Sequence, residues 1–245
     1  LVAEFGGVLG GVAYMNDDIV LQLDQVFTLA KRYGLDLDFH TDESLDPEDI
    51  TLRYVAEAAL RHDFQGAITC GHCCSLSVQS PEVVEQTLTL VKAANIGIVS
   101  LPMCNLYLQD RQPEHTPRYR GVTILHELHQ RGIPVALASD NCRDPFYAYG
   151  DHDGLDVFKQ SVRIGHLDRP FTHWPQSVTS RPAQLMGLEN LGVLKPAAPA
   201  DLICFKARTL NELVARAQCD RIVLRQGTQI DTTLPDYREL DPWVQ

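Results

Sequence analysis

Gly132-Ile133-Pro134-Val135-Ala136-Leu137-Ala138-Ser139-Asp140-Asn141 is the stretch that decides the fold. An apolar run too short for a helix lies between a helix-stopping glycine and a polar end. No position within it alternates to polar, the pattern of a strand covered on both faces. Just upstream, Thr123 to Arg131 carries apolar residues at helical spacing and closes at Gly132. Helix, strand and polar end together make one α/β unit.

The same unit recurs toward the N-terminus. Strands are expected at Gly6 to Tyr14, Leu35 to Phe39, Ala67 to Gly71 and Ile96 to Leu101. Helices are expected between them at Asp24 to Tyr33, Thr51 to Arg61 and Pro81 to Ala94, the last with proline at its tolerated first-turn position. A long loop is expected from Pro102 to Arg120. Toward the C-terminus, helices are expected at Gly154 to Gly165 and Ser177 to Met186. Short strand-like pieces follow at Asp201 to Phe205 and Arg221 to Arg225, too short for another α/β layer and suited to a small β appendage. No repeat or low-complexity tract interrupts this order. The expectation is an α/β fold with a parallel sheet, dry on both faces or closed into a barrel, over residues 1–190, with 191–245 as the appendage and tail.

The 245 residues include 21 Lys and Arg against 32 Asp and Glu, a net charge of −11. An acidic chain without a basic cluster does not suit a nucleic-acid polymer or an anionic membrane, though an uncharged heterocycle carries no phosphate to repel. No apolar run is long enough to span a bilayer. The seven cysteines follow no disulfide spacing and read as reduced thiols of a cytoplasmic protein, with Cys204 and Cys219 as small buried hydrophobes. Cys70-Gly71-His72-Cys73 has one C-x-x-C spacing and no second pair to complete a zinc ribbon. The chain opens at Leu1 without methionine or a basic leader and runs at once into an apolar, glycine-rich stretch. It therefore reads as a fragment whose beginning lies upstream.

In parallel α/β folds the chemistry sits beyond the C-terminal ends of the strands. His40, His72 and Asp140 each fall at such an end, and Asp42 and Glu43 follow His40 within three residues. A single histidine is more often a satisfied structural residue than a ligand, and Thr41 to Asp49 also suits a solvated acidic loop. Three strand ends with metal-capable side chains are not what core packing alone predicts. Imidazole with carboxylate suits zinc, iron(II) or manganese(II). His126-Glu127-Leu128-His129 fails the H-E-x-x-H pattern because position 130 is Gln, and no G-x-S-x-G elbow occurs. Gly6 to Gly11 is neither a dinucleotide fingerprint nor a phosphate loop.

At His40-Thr41-Asp42-Glu43, Gly71-His72, Ser139-Asp140-Asn141 and Asp144-Pro145-Phe146-Tyr147 the chain resembles the metal-dependent amidohydrolase superfamily, and within it the cytosine deaminase family. The resemblance runs over essentially the whole chain. It implies a (β/α)8 TIM-like barrel, with strands four to eight present here, and a small β-sandwich appendage. It also implies one divalent metal ion per chain, zinc or iron(II), with His40 and Asp140 as metal residues. Glu43, His72 and Asp140 would be catalytic. His72, Glu43 and Asn141 would meet the substrate, with Phe146 or Trp174 as an apolar wall. The implied reaction converts an aminopyrimidine-like base and water to the oxo base and ammonia, and a homo-oligomer is compatible with it. The family's His-x-His pair and an upstream Gln have no counterpart here, which again points to a missing N-terminal part. Asn141 stands where cytosine deaminases usually carry Asp. Two rival readings are an amidohydrolase acting on a cyclic amide or N-alkylated aminotriazine, and a catalytically inactive structural homologue.

Overall fold

Apolar runs ending in polar residues become five parallel strands: β1 (Leu9–Val12), β2 (Leu37–Thr41), β3 (Ile68–His72), β4 (Gly97–Ser100) and β5 (Val135–Leu137). In the computed structural model, which describes residues 1–188 and 190–243, they pair in chain order β1-β2-β3-β4-β5. Parallel neighbours in sequence order, each joined to the next through a helix, are the layout of a (β/α) barrel. Register pairs His40 with Gly71, Thr41 with His72, and Ser100 with Leu137, so the strand ends that matter lie level.

The connecting helices are α1 (Ile19–Tyr33), α2 (Thr51–Arg61), α3 (Pro81–Ala93), α4 (Pro102–Leu108) and α5 (Leu125–Gln130); α6 (Gly154–Gly165) and α7 (Ser180–Leu185) follow β5. α1 ends where Gly34 turns left-handed at φ 63° and caps Ala30 O, a conformation that costs glycine little. Ser80 caps α3 by accepting from Val83 N ahead of Pro81. Leu37 and Phe39 of β2 face the helices, and Phe27 of α1 stacks on Phe39 at 6.2 Å and meets Phe64 edge-on at 5.2 Å. Full burial of each such side chain contributes roughly 1.5–3 kcal/mol.

Several expectations need correction. Alternate residues of β2, Asp38 and His40, are exposed, and so is most of β1. The sheet is therefore not dry on both faces here, because the contacts of Thr69 with Asp38 and of the His72 ring with His40 leave that face of β2 open. The expected loop from Pro102 begins with α4, since Pro102 starts a helix as well as it ends a strand. α1 begins five residues earlier than expected, and Ser177 to Met186 resolves into a 3-10 turn, Phe171–Val178, followed by α7.

The chain divides into two units, Leu1–Glu189 and Asn190–Gln245. The second holds one antiparallel sheet of β6 (Leu202–Cys204), β7 (Ile222–Arg225) and β8 (Thr228–Gln229), with α8 (Leu210–Ala215). Cys204 and Cys219 are exposed here rather than buried, because so small a sheet covers little surface. Among the described residues no helix is long and apolar enough to cross a membrane.

Candidate active site

The site is assembled where strands stop being strands. Asp42 after β2, His72 at the end of β3 and Asp140 after β5 all take left-handed φ values, 51°, 70° and 65°. Non-glycine residues in this region cost of order 1–3 kcal/mol each and persist where surrounding contacts hold them. Alternation would send the His72 ring to the side of its register partner Thr41. The left-handed turn brings it instead to His40, with His72 Nε2 2.9 Å from His40 Nδ1. Glu43 arrives from the turn after β2, its Oε1 3.3 Å from His72 Nδ1.

That turn is braced from below. Asp42 is buried; its Oδ1 accepts from Thr51 Oγ1 at 2.7 Å and Leu52 N at 3.1 Å, while its own N–H donates to Thr51 Oγ1 at 3.0 Å. The carboxyl group thus sits on the N-terminus of α2, whose dipole favours negative charge. Burial nevertheless pushes Asp42 up to about 7, its bonds to Thr51 and Leu52 opposing the shift. Ser75 Oγ donates to Asp42 O and Ser44 O, tying the β3 end to the same turn.

Burial, and then the nearby Asp140 charge, raise Glu43 above the ordinary carboxylate range; His40 opposes this. His72 is 2 % exposed, and burial pushes it down to about 4, against the pull of Asp140. The ring is therefore neutral near pH 7. Asp140 Oδ2 is buried and, among the described residues, has no hydrogen-bond partner.

These residues fit a divalent cation. One ligand atom from each of His40, Glu43 and His72 lies within 4.8 Å of the others. The donor set of imidazole and carboxylate suits zinc or iron(II). The nearby Asp140 charge helps raise Glu43, and Asp140 itself has an orphaned buried oxygen among the described residues; positive charge beside the two carboxylates relieves both. The cluster can chelate one divalent metal ion per chain.

The other expected residues are placed differently from one another. Asn141 lies beside Asp140, but its Nδ2 donates to Asp144 Oδ2 at 2.6 Å and its Oδ1 accepts from the Cys104 thiol at 3.6 Å. Phe146 follows on the same loop and is 65 % exposed. Trp174 does not wall this site: it packs against His126 and His129 of α5 and lines a small cavity with Ile133 and Val135, at the opposite end of β5 from Asp140. Asn105 was missed by sequence reasoning, although its Nδ2 is 3.0 Å from His72 Nδ1. Gln109 was missed too; its Nε2 donates to Glu43 O at 3.2 Å. Both belong to the segment expected to be loop, where Pro102 followed by six residues without glycine or proline was the available helix signal.

The model of the amidohydrolase family matches residues 3–227. The chain is 54 % identical over 241 residues to a pterin deaminase from Rhizobium rhizogenes, covering 98 % of this chain and 55 % of that protein. It is 24 % identical over 201 residues to an N-isopropylammelide isopropyl amidohydrolase from Pseudomonas, covering 80 % of this chain and 46 % of that protein. Among solved structures, a 5-methylcytosine deaminase from Klebsiella pneumoniae liganded with 5-fluorocytosine superposes with a TM-score of 0.82 at 28 % identity, over 96 % of this chain and 58 % of that one. The chain spans about half the length of the curated relatives it matches.

Proposed function

Because the chain belongs to the amidohydrolase family, we propose that its protein hydrolytically deaminates an aminopyrimidine-like ring, releasing ammonia and leaving the oxo base. The observation that carries this reading is the meeting of His40, Glu43 and His72 at two strand ends beside the unpartnered oxygen of Asp140. His40 and Asp140 hold the cation in this proposal. A divalent ion so held supplies Lewis-acid activation of water near neutral pH.

The protein's own groups divide the remaining work. Burial and the Asp140 charge raise the carboxyl group of Glu43, which suits it to take up a proton and pass it to a ring nitrogen. A second proton, released by the added oxygen as the ring carbonyl forms, goes to the exocyclic amine, again by way of Glu43, so that the amine leaves as ammonia rather than as an amide anion. Asp140 accepts a proton at Oδ2, the atom left without a partner. His72, neutral and buried, orients the oxygen that adds to the ring carbon. Asn141 borders the ring from the turn it shares with Asp144.

Kinship supports the ring class. The pterin deaminase and the 5-methylcytosine deaminase are both named for aminated nitrogen heterocycles, and pterin contains an aminopyrimidine ring fused to a second ring. Both rings carry an exocyclic amine on a carbon next to ring nitrogen, an amidine carbon in cytosine and a guanidine-type carbon in pterin. The similarity to the N-isopropylammelide enzyme favours a second reading, release of an alkylamine. A panel of pterin, cytosine, 5-methylcytosine, isocytosine and N-isopropylammelide, incubated with the complete protein, separates them. Ammonia from the first four classes supports deamination, alkylamine from the last supports the rival, and silence throughout with metal bound defeats both.

A further inference from the structure

α4 and its C-cap touch the site at two residues four apart. Asn105 Nδ2 meets His72 Nδ1 at 3.0 Å, and Gln109 Nε2 donates to Glu43 O at 3.2 Å. Asn105 is 1 % exposed and held by its backbone: its N–H donates to Leu101 O at 3.0 Å and its carbonyl accepts from Gln109 N at 2.9 Å. Gly121 closes against the same turn. A Cβ there would stand 2.2 Å from Gln109 Cβ and 3.1 Å from Asn105 O, so the segment after α4 leaves the helix no room to shift.

An amide nitrogen carries hydrogens and no lone pair to accept with. Where it lies within hydrogen-bond distance of an imidazole nitrogen, that nitrogen must accept and carries no hydrogen, so the ring's single hydrogen sits on the other one. We propose that Asn105 is a positioning residue that fixes His72 as the Nε2–H tautomer, so that the ring offers the site a donor. Nε2 then donates to His40 Nδ1, 2.9 Å away, completing a one-way chain from Asn105 through His72 to His40. Both nitrogens of His72 are thereby committed to protein partners in the arrangement described. A cation held in the cluster through the His40 lone pair and the carboxylates would leave the His72 N–H to an oxygen on the substrate side. The chain-of-donors inference stands on geometry alone; only its consequence for turnover rests on the proposed deamination.

The test is the hydrogen position on His72, read from nitrogen-15 histidine correlation spectra of the complete protein and assigned by the signal lost in His72→Asn. The expected result is a non-protonated Nδ1 and a protonated Nε2, unchanged when zinc is added. Asn105→Asp replaces the donor with an acceptor and should move the hydrogen to Nδ1. It should also lower kcat by roughly 10- to 100-fold with KM and metal content little altered. A protonated Nδ1 in the unsubstituted protein, which would then donate to Glu43, overturns the inference, as does loss of the Nε2 hydrogen on zinc binding. Both readouts survive if Asn105→Asp does not fold. If the tautomer is as expected but no substrate releases ammonia, the deaminase reading fails and this one stands.

Discussion

Glu43 and Asp140 are both carboxylates in one cluster, yet removal of each should fail differently. Glu43→Gln keeps the side chain's size and its hydrogen bonding but cannot carry a proton, so turnover should fall by about 100-fold or more while metal content stays intact. Asp140→Ala removes the buried oxygen that lacks a protein partner, so metal content and turnover should fall together. Kinetics paired with elemental analysis of each variant read this out; retention of full metal by Asp140→Ala contradicts the role given to that oxygen. At this scale the sequence was informative about which residues gather, because His40, His72 and Asp140 each follow an apolar strand. It could not reveal how they face one another. The left-handed φ of 70° that turns His72 toward His40 is a tertiary outcome, held by contacts from two other strand ends.

α5 offers a pH test away from the site. His129 is held below the ordinary histidine range by burial first, then by His173, Arg181 and His126. A depressed histidine binds protons more weakly folded than unfolded. Its contribution to stability is therefore fully present above the unfolded value near 6.5 and is lost as pH falls through the lower folded value. The melting temperature should drop as pH falls from about 6.5 through that lower folded value, and the drop should be shallower in His129→Gln. Equal slopes for the two proteins would contradict the assignment. α4 carries a second test. Gly121→Ala forces a Cβ onto Gln109 at φ 63°, and should destabilise the protein by at least about 1 kcal/mol in a urea titration, a larger loss than the usual glycine-to-alanine gain. Element boundaries were legible for α2 and α6, which occupy the residues expected of them, Thr51–Arg61 and Gly154–Gly165; α6 is marked by its Asp153 cap, and α2 by its stripe of apolar residues alone. α4 was not, because seven residues directly after a strand show too little helical period to stand out, and with it went Asn105 and Gln109.

For the whole molecule, the parallel order of five strands was readable from alternation alone, since β-α-β connections permit little else. The wet face of β2 was not, because Asp38 and His40 read equally as strand residues and as a polar strand end. The central claim is that these strand ends serve a metal-dependent addition of water to an aminated ring carbon. The measurement that tests it most directly is turnover of the complete protein in heavy-oxygen water, on pterin and on cytosine, after chelation and again after restoring zinc or iron(II). The product should carry one heavy oxygen for each ammonia released, with turnover absent after chelation and recovered with the metal. Ammonia release that persists in the chelated protein, or product without the heavy label, would contradict it.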